Sequence, residues 1–334
     1  MLKVTIGRRE IFLIIVCPEM TNTKDCTYWI LIIIENLITC LALVQITRLI
    51  RVFGKTSLFH KNLVRISQAL LITFYPNAVG RVVITIYESG ILAYDGNVIS
   101  NVLLSCACFV RVWAMNSLIL YFPSVIIERI FASKYITDYE KLPRPWICRV
   151  VIPSVHIVSI VTAVTNMLGY CNEIIASILI AAFFLIYCTT FITIYRRDST
   201  KLRNLDRNLV QKKVIYTLST KFQLKENLKV MKILMHQSIV EAVNTVIGCS
   251  LFILTKTVLV NNSQWIPAAH VLSDMCFAIS FCMIALVYMV ALGEVRLRFF
   301  PSWSSKIRDM HGTHSINEHR GASDAYFKQL TNAW

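Results

Sequence analysis

Five ionisable side chains, Glu35, Arg81, Arg111, Glu241 and Asp274, stand inside stretches of sequence that are otherwise apolar. A charge carried into hydrocarbon is costly, so such residues face a bundle interior, pair with one another and often mark ligand or ion sites. At ~1.5 Å per helical residue, Glu35, Arg81 and Asp274 lie about 10 Å below one membrane boundary, and Arg111 and Glu241 roughly 18–21 Å below it. His156, His236, Asn77, Asn116 and Asn244 add hydrogen-bonding capacity. Two chemistries fit this set. One is interhelical ion pairing that holds the bundle together, Arg81 with Glu35 for example, and it is the plainer reading of each residue alone. The other is a pocket with a polar floor, and it is the better reading of the cluster, because ligand sites commonly lie between bundle helices.

A second constellation stands at the far end of the third apolar stretch, where Glu128 is followed by Arg129. A carboxylate beside an arginine at a membrane boundary can form a switchable pair, closed when locked and open to a partner when released. The plainer alternative is an ordinary arginine flanking the membrane. Lys221, Lys225, Lys229 and Lys232 recur every three or four residues and form one basic helical stripe, suited to a partner protein or to anionic lipid.

Other chemistry is thinly represented. No CxxC pair occurs, and Cys106 and Cys108 sit inside an apolar run, so neither a metal site nor a cofactor is expected. Cys26, Cys106 and Cys171 are the candidates for a disulfide, with the pairing left open. Asn261 begins the one glycosylation sequon, in a short connection close to the membrane. HExxH, a Gly-rich phosphate loop and a nucleophile elbow are all absent, so an enzyme is not expected.

The elements that must position these residues are seven apolar stretches near 28–50, 64–87, 98–127, 147–168, 174–195, 230–254 and 268–291. Each is long enough for a helix to cross a hydrocarbon core of ~30 Å, and none alternates with the period of a strand. The expectation is an all-α membrane protein, a single seven-transmembrane helix bundle over 1–334 with a tail at 293–334. Composition agrees: 56% of the 334 residues are hydrophobic and 16% charged, with a mean hydropathy of +0.59. The net charge of +15 does not point to nucleic acid, because it is sorted to one side of the membrane.

Segments 47–62, 128–149, 196–232 and 293–334 hold 4, 5, 11 and 6 of the 34 Lys and Arg residues, and the intervening connections hold few. The positive-inside rule then sets the amino terminus outside and the carboxyl terminus inside. Lys3, Arg8 and Arg9 dissent; they precede a seven-residue apolar run that is too short for a good signal peptide, so a short extracellular tail is expected there. The brief connections 88–98 and 169–173 imply tight helical hairpins. The charged segment 196–232 extends the fifth and sixth helices beyond the bilayer. An interfacial helix is expected after Gly293, and a disordered polar tail over 304–334. No internal repeat relates the two halves, which weighs against a repeat-built transporter.

The stretch ERIFASKYITDYEK from Glu128, with RPWI leading into the fourth span, resembles the Sre family of nematode serpentine chemoreceptors, part of the Sra superfamily. So does YTLSTKFQLKENLKVMKIL at 216–234 and, more loosely, HKNL at 60–63 with Arg81 and Tyr87. The resemblance implies a multi-pass receptor in the plasma membrane of chemosensory neurons, binding an external small molecule and signalling through a heterotrimeric G protein. Glu128–Arg129 then stands where rhodopsin-like receptors carry Asp/Glu-Arg-Tyr, with Ile130 in place of the tyrosine. The alternative is a membrane transporter or a ligand-gated ion channel, since charges near the midplane suit passage of ions.

Overall fold

The computed structural model describes residues 2–6, 9–13, 26–55, 59–92, 94–135, 144–170, 172–210, 218–257 and 265–292. Helices α1 (Cys26–Phe53), α2 (Lys61–Glu88), α3 (Val98–Lys134), α4 (Trp146–Met167), α5 (Glu173–Val210), α6 (Leu218–Thr257) and α7 (Ile266–Ala291) follow one another. All seven are long and apolar enough to cross a membrane. Their apolar residues point outward as well as inward. On α1, Ile30, Ile33, Leu37, Leu41 and Val44 are exposed at helical spacing. A water-soluble bundle would bury that face; here it is the surface that meets lipid.

The boundaries follow from local chemistry. Asn172 caps α5, its Oδ1 accepting from the backbone N–H groups of Ile174 (3.0 Å) and Ile175 (3.3 Å). Helices α2 and α4 end at Gly90 and Gly169, both with φ 74°, a left-handed conformation that glycine takes without strain. These turns give the two tight hairpins expected from the short connections. Pro76, Pro123 and Pro153 lie inside helices, which a membrane bundle tolerates when neighbouring groups satisfy the freed backbone. Helices α5 and α6 run well past their apolar stretches, as the charged segment between them led one to expect.

Helix α3 is the hub, packing against α2, α4, α5 and α6. The α2–α3 seam is closest at Gly80, where an added Cβ would stand 3.0 Å from the Ala107 carbonyl oxygen and 3.1 Å from Arg111 Cγ. A small residue there lets the two backbones approach. Helix α7 meets the others through long side chains: Phe281 on Phe74 (centroids 4.6 Å), Val271 with Tyr28 and Ile32.

One finding departs from the expected tail. Residues Leu2–Ile6 and Arg9–Leu13 form an antiparallel pair, β1 and β2, with Leu2 opposite Leu13 and Ile6 opposite Arg9. This hairpin packs on α3 and α4, and Ile11 joins the cluster Ile84, Leu104, Ala107, Cys108 and Met167. Alternating Val4, Ile6 and Ile11 carried the strand signal. Packing also divides the chain into Met1–Ala285 and Leu286–Trp334, the boundary falling within α7. The interfacial helix expected after Gly293 and the tail over 304–334 lie outside the described residues.

Candidate functional site

At the end of the bundle that carries the α2–α3 turn, charged residues from four helices meet. Arg81 on α2 is the centre. Its Nε and Nη2 donate to Oε1 and Oε2 of Glu35 on α1, both at 2.6 Å. Its Nη1 donates to Glu88 Oε2 at 3.0 Å and stands 3.4 Å from Asp274 Oδ2 on α7. The other carboxylate oxygen of Asp274 accepts from Arg111 Nη2 on α3 at 2.6 Å. Asp274 therefore bridges two arginines, and one continuous ionic chain ties α1, α2, α3 and α7 together.

Every member is buried, Arg111 to 1% exposure. Burial on this scale demands pairing, because an isolated ion in a low-dielectric interior costs several kcal/mol or more. The pairing is incomplete in two ways. Three carboxyl groups face two guanidinium groups. In addition, Nε and Nη1 of Arg111 donate to nothing within the described residues. One helical turn beyond this layer lies the apolar cluster into which Ile11 packs.

Outside the spans at this end, Asp95 accepts from the Asn97 backbone N–H and from Ser100 Oγ, both at 3.1 Å. The Asn97 N–H bond holds the Asp95 carboxyl below the usual carboxylate range. Partial burial, and then the Asp95 charge, push the Tyr94 phenol up; Tyr94 donates to Asn101 Oδ1 at 2.5 Å. These bonds set the start of α3.

A second buried network occupies the opposite end. Arg129 folds back on its neighbour, Nε to Glu128 Oε2 at 2.5 Å and Nη2 to Oε1 at 2.7 Å. Its remaining Nη1 donates to Asn227 Oδ1 on α6 at 2.9 Å. Asn227 Nδ2 reaches Asp198 Oδ2 on α5 at 3.3 Å. Asp198 Oδ1 accepts from Ser133 Oγ on α3 at 2.8 Å, and Arg197 Nη2 donates to Ser133 Oγ at 2.7 Å. His60, at the start of α2, places Nδ1 3.8 Å from Glu128 Oε1. Glu128 and Asp198 are fully buried. Helices α3, α5 and α6 are thus clasped by one polar loop of contacts.

The structure brings Glu35, Arg81, Arg111 and Asp274 together, and Arg81 with Glu35 is the very pair that depth suggested. It does not join Glu241 to them. That residue lies on α6 with 1% exposure, and neither carboxylate oxygen has a hydrogen-bond partner among the described residues. Lys225 is exposed, while Lys229 and Lys232 are half-buried. Lys221 lies in α6 with its side chain outside the described set. Cys26 and Cys106 are exposed free thiols; Cys171 and Asn261 fall outside the described residues. Asn116 Nδ2 joins α3 to α4 through Thr162 Oγ1 at 2.9 Å.

Sequence reasoning missed Glu88, Ser133, Asp198 and Asn227 as site residues. Glu88 sits seven residues after Arg81, the same face of α2 two turns on, and that spacing was a usable signal. Asp198 is a single acid within the basic run RRDSTKLR, and a lone opposite charge in such a run invites a partner. Ser133 carried no signal of its own.

Comparison with known proteins agrees with this architecture. Residues 9–334 match the model of a family described as Sre G protein-coupled chemoreceptor. Serpentine receptor class epsilon-1 of Caenorhabditis elegans is 25% identical, over 95% of this chain and 93% of its own length. Serpentine receptor class epsilon-38 of the same nematode is 22% identical, over 94% and 99%; class epsilon-31 is 25% identical, over 85% and 87%. The match covers nearly the whole chain and the seven membrane-capable helices supply the fold, so the chain belongs to the Sre family of G protein-coupled chemoreceptors and is an integral, multi-pass membrane protein.

Proposed function

We propose that this receptor binds a small polar molecule from outside the cell at the layer formed by Glu35, Arg81, Arg111 and Asp274. Binding is transmitted to a heterotrimeric G protein by release of the Arg129 clasp at the opposite end. The amino terminus lies outside and the carboxyl terminus in the cytosol, and the protein works in the plasma membrane of chemosensory neurons. The observation that carries this reading is that both buried networks hang on α3. Arg111 belongs to one and Arg129 to the other, 18 positions apart, or about 27 Å along a helix at ~1.5 Å per residue. A rigid element held by polar contacts at each end can carry a change from one to the other.

The pocket layer keeps donors and charge in reserve. Two N–H groups of Arg111 have no partner among the described residues, and the ligand that meets them competes for Asp274. Redistribution of Asp274 between Arg81 and Arg111 loosens α7 from α3. At the other end, Arg129 is held by Glu128 and Asn227, and its release exposes a guanidinium to a cytosolic partner. Ligand and G protein then each favour the same bundle arrangement.

The test is a ligand screen in cells reporting G-protein activation, with Arg129→Ala and Arg111→Leu as variants and surface expression measured for each. Loss of the response in both, at unchanged surface level, supports the reading. A response that Arg129→Ala leaves intact, or one carried by ionic current without G protein, overturns it.

A further inference from the structure

Glu241 presents a problem that the charged layer does not solve. It lies near the middle of α6, 1% exposed, with both carboxylate oxygens unpartnered among the described residues. Four residues earlier Gln237 is also 1% exposed, and neither its Oε1 nor its Nε2 has a partner among the described residues. Residues four apart on a helix are neighbours on one face. Asn244 and Gly248 continue that face at +3 and +7 from Glu241, and both meet α7: Asn244 Nδ2 donates to the Cys276 carbonyl at 2.6 Å, and a Cβ on Gly248 would stand 3.6 Å from Cys276 Cβ. The stripe therefore lines the seam between α6 and α7.

Ser280 on α7 is the polar side chain that bears on the Glu241 carboxylate. Its hydroxyl already accepts from Asn244 Nδ2. An anionic carboxylate left this way in lipid is strongly disfavoured, so it is neutralised either by a proton or by a cation. No arginine or lysine among the described residues bonds to either of its oxygens. Glu241 and Gln237 stand one turn apart on this face of α6, and Ser280 supplies a hydroxyl from α7. Oxygen donors of this kind suit a hard cation.

We propose that Glu241, Gln237 and Ser280 form a binding site for a small monovalent cation of the sodium type in the α6–α7 seam, separate from the ligand layer. The ion compensates the buried carboxylate and ties α6 to α7 in the resting arrangement. Because α6 also carries Asn227, half of the Arg129 clasp, occupancy of this site stabilises the closed state. An ion that binds the folded state alone raises its stability by mass action.

The experiment uses the full chain in lipid nanodiscs at pH 7.5. Its melting temperature is measured in sodium chloride and in N-methylglucamine chloride at equal ionic strength. The expected result is a sodium-dependent rise of about 2–5 °C in the wild type, in line with one to two kcal/mol of linkage for a protein of this size. Glu241→Gln is expected to abolish the sodium dependence, and Gln237→Leu to weaken it. Equal melting of the wild type in the two salts overturns the proposal, and so does a sodium effect that survives in Glu241→Gln. The wild-type comparison stands even if a variant fails to fold. Loss of ligand response in Arg111→Leu with the sodium effect intact separates this site from the pocket.

Discussion

The guanidinium of Arg81 meets acids with all three nitrogens: two on Glu35, the third between Glu88 and Asp274. A lysine ammonium has no planar fork and cannot reproduce that geometry. Removing one partner of a buried ionic group leaves the others uncompensated, at about 3–5 kcal/mol. Arg81→Met is therefore expected to lower thermal stability in detergent by an amount of that order, and Arg81→Lys to recover only part of it. A loss below about 1 kcal/mol in Arg81→Met, the scale of a surface pair, would sink the view that this layer holds the bundle. Gly80 makes a second residue-scale prediction. The Cβ of Gly80→Ala meets a backbone carbonyl at 3.0 Å, which cannot rotate away, and the Arg111 stem at 3.1 Å. Overpacking of this kind costs about 1–3 kcal/mol, and it displaces Arg111, whose Nε and Nη1 have no hydrogen-bond partner among the described residues. Lower melting together with a weakened ligand response is the expected pair of readouts.

Among the elements, α3, α5 and α6 are joined at one end by hydrogen bonds through Asp198 and Asn227 rather than by apolar packing alone. Asn227→Leu removes both the acceptor for Arg129 and the donor to Asp198. We expect ligand-independent G-protein signalling several-fold above wild type at equal surface expression; unchanged basal activity would show that the clasp does not restrain the receptor. The start of α3 supplies a pH prediction. The Asp95 bonds favour the charged carboxylate, so its folded value lies below the unfolded one. Its contribution is present above ~4, the ordinary Asp value, and is lost as pH falls through the lower folded value. The melting difference between wild type and Asp95→Ala is thus expected to shrink as pH drops from 6 towards 3. The elements were largely legible in the sequence because burial in lipid is written as length and hydropathy. All seven apolar stretches are helices, and the described parts of the charged run after span five extend α5 and α6. The β1–β2 hairpin is less legible, because Lys3, Arg8 and Arg9 before a short apolar run resemble the head of a targeting segment and obscure the period-two alternation. Site partners were harder. Arg81 with Glu35 follows from equal depth, but Glu241 shares the depth of Arg111 and not its neighbours, since depth fixes a level and leaves the rotation of each helix open.

On the scale of the whole molecule, sidedness is carried by the distribution of Lys and Arg. An epitope tag at the amino terminus is expected to stain intact cells, and one at the carboxyl terminus only after permeabilisation. The reverse pattern would invert the membrane orientation and put the Arg129 clasp outside, where no G protein could reach it. Helix α3 has a further consequence, which is mechanical. It is a bar clamped at two points, by Arg111 on Asp274 at 2.6 Å and by Arg129 on Asn227 at 2.9 Å. A side-chain tip stands about 5–6 Å from a helix axis, so a twist of only ~10° sweeps it through about 1 Å of arc. That arc carries a contact of this length past the distance at which a hydrogen bond holds. The bar therefore converts torsion into bond rupture with almost no travel, and a receptor built on it need not open wide to change state.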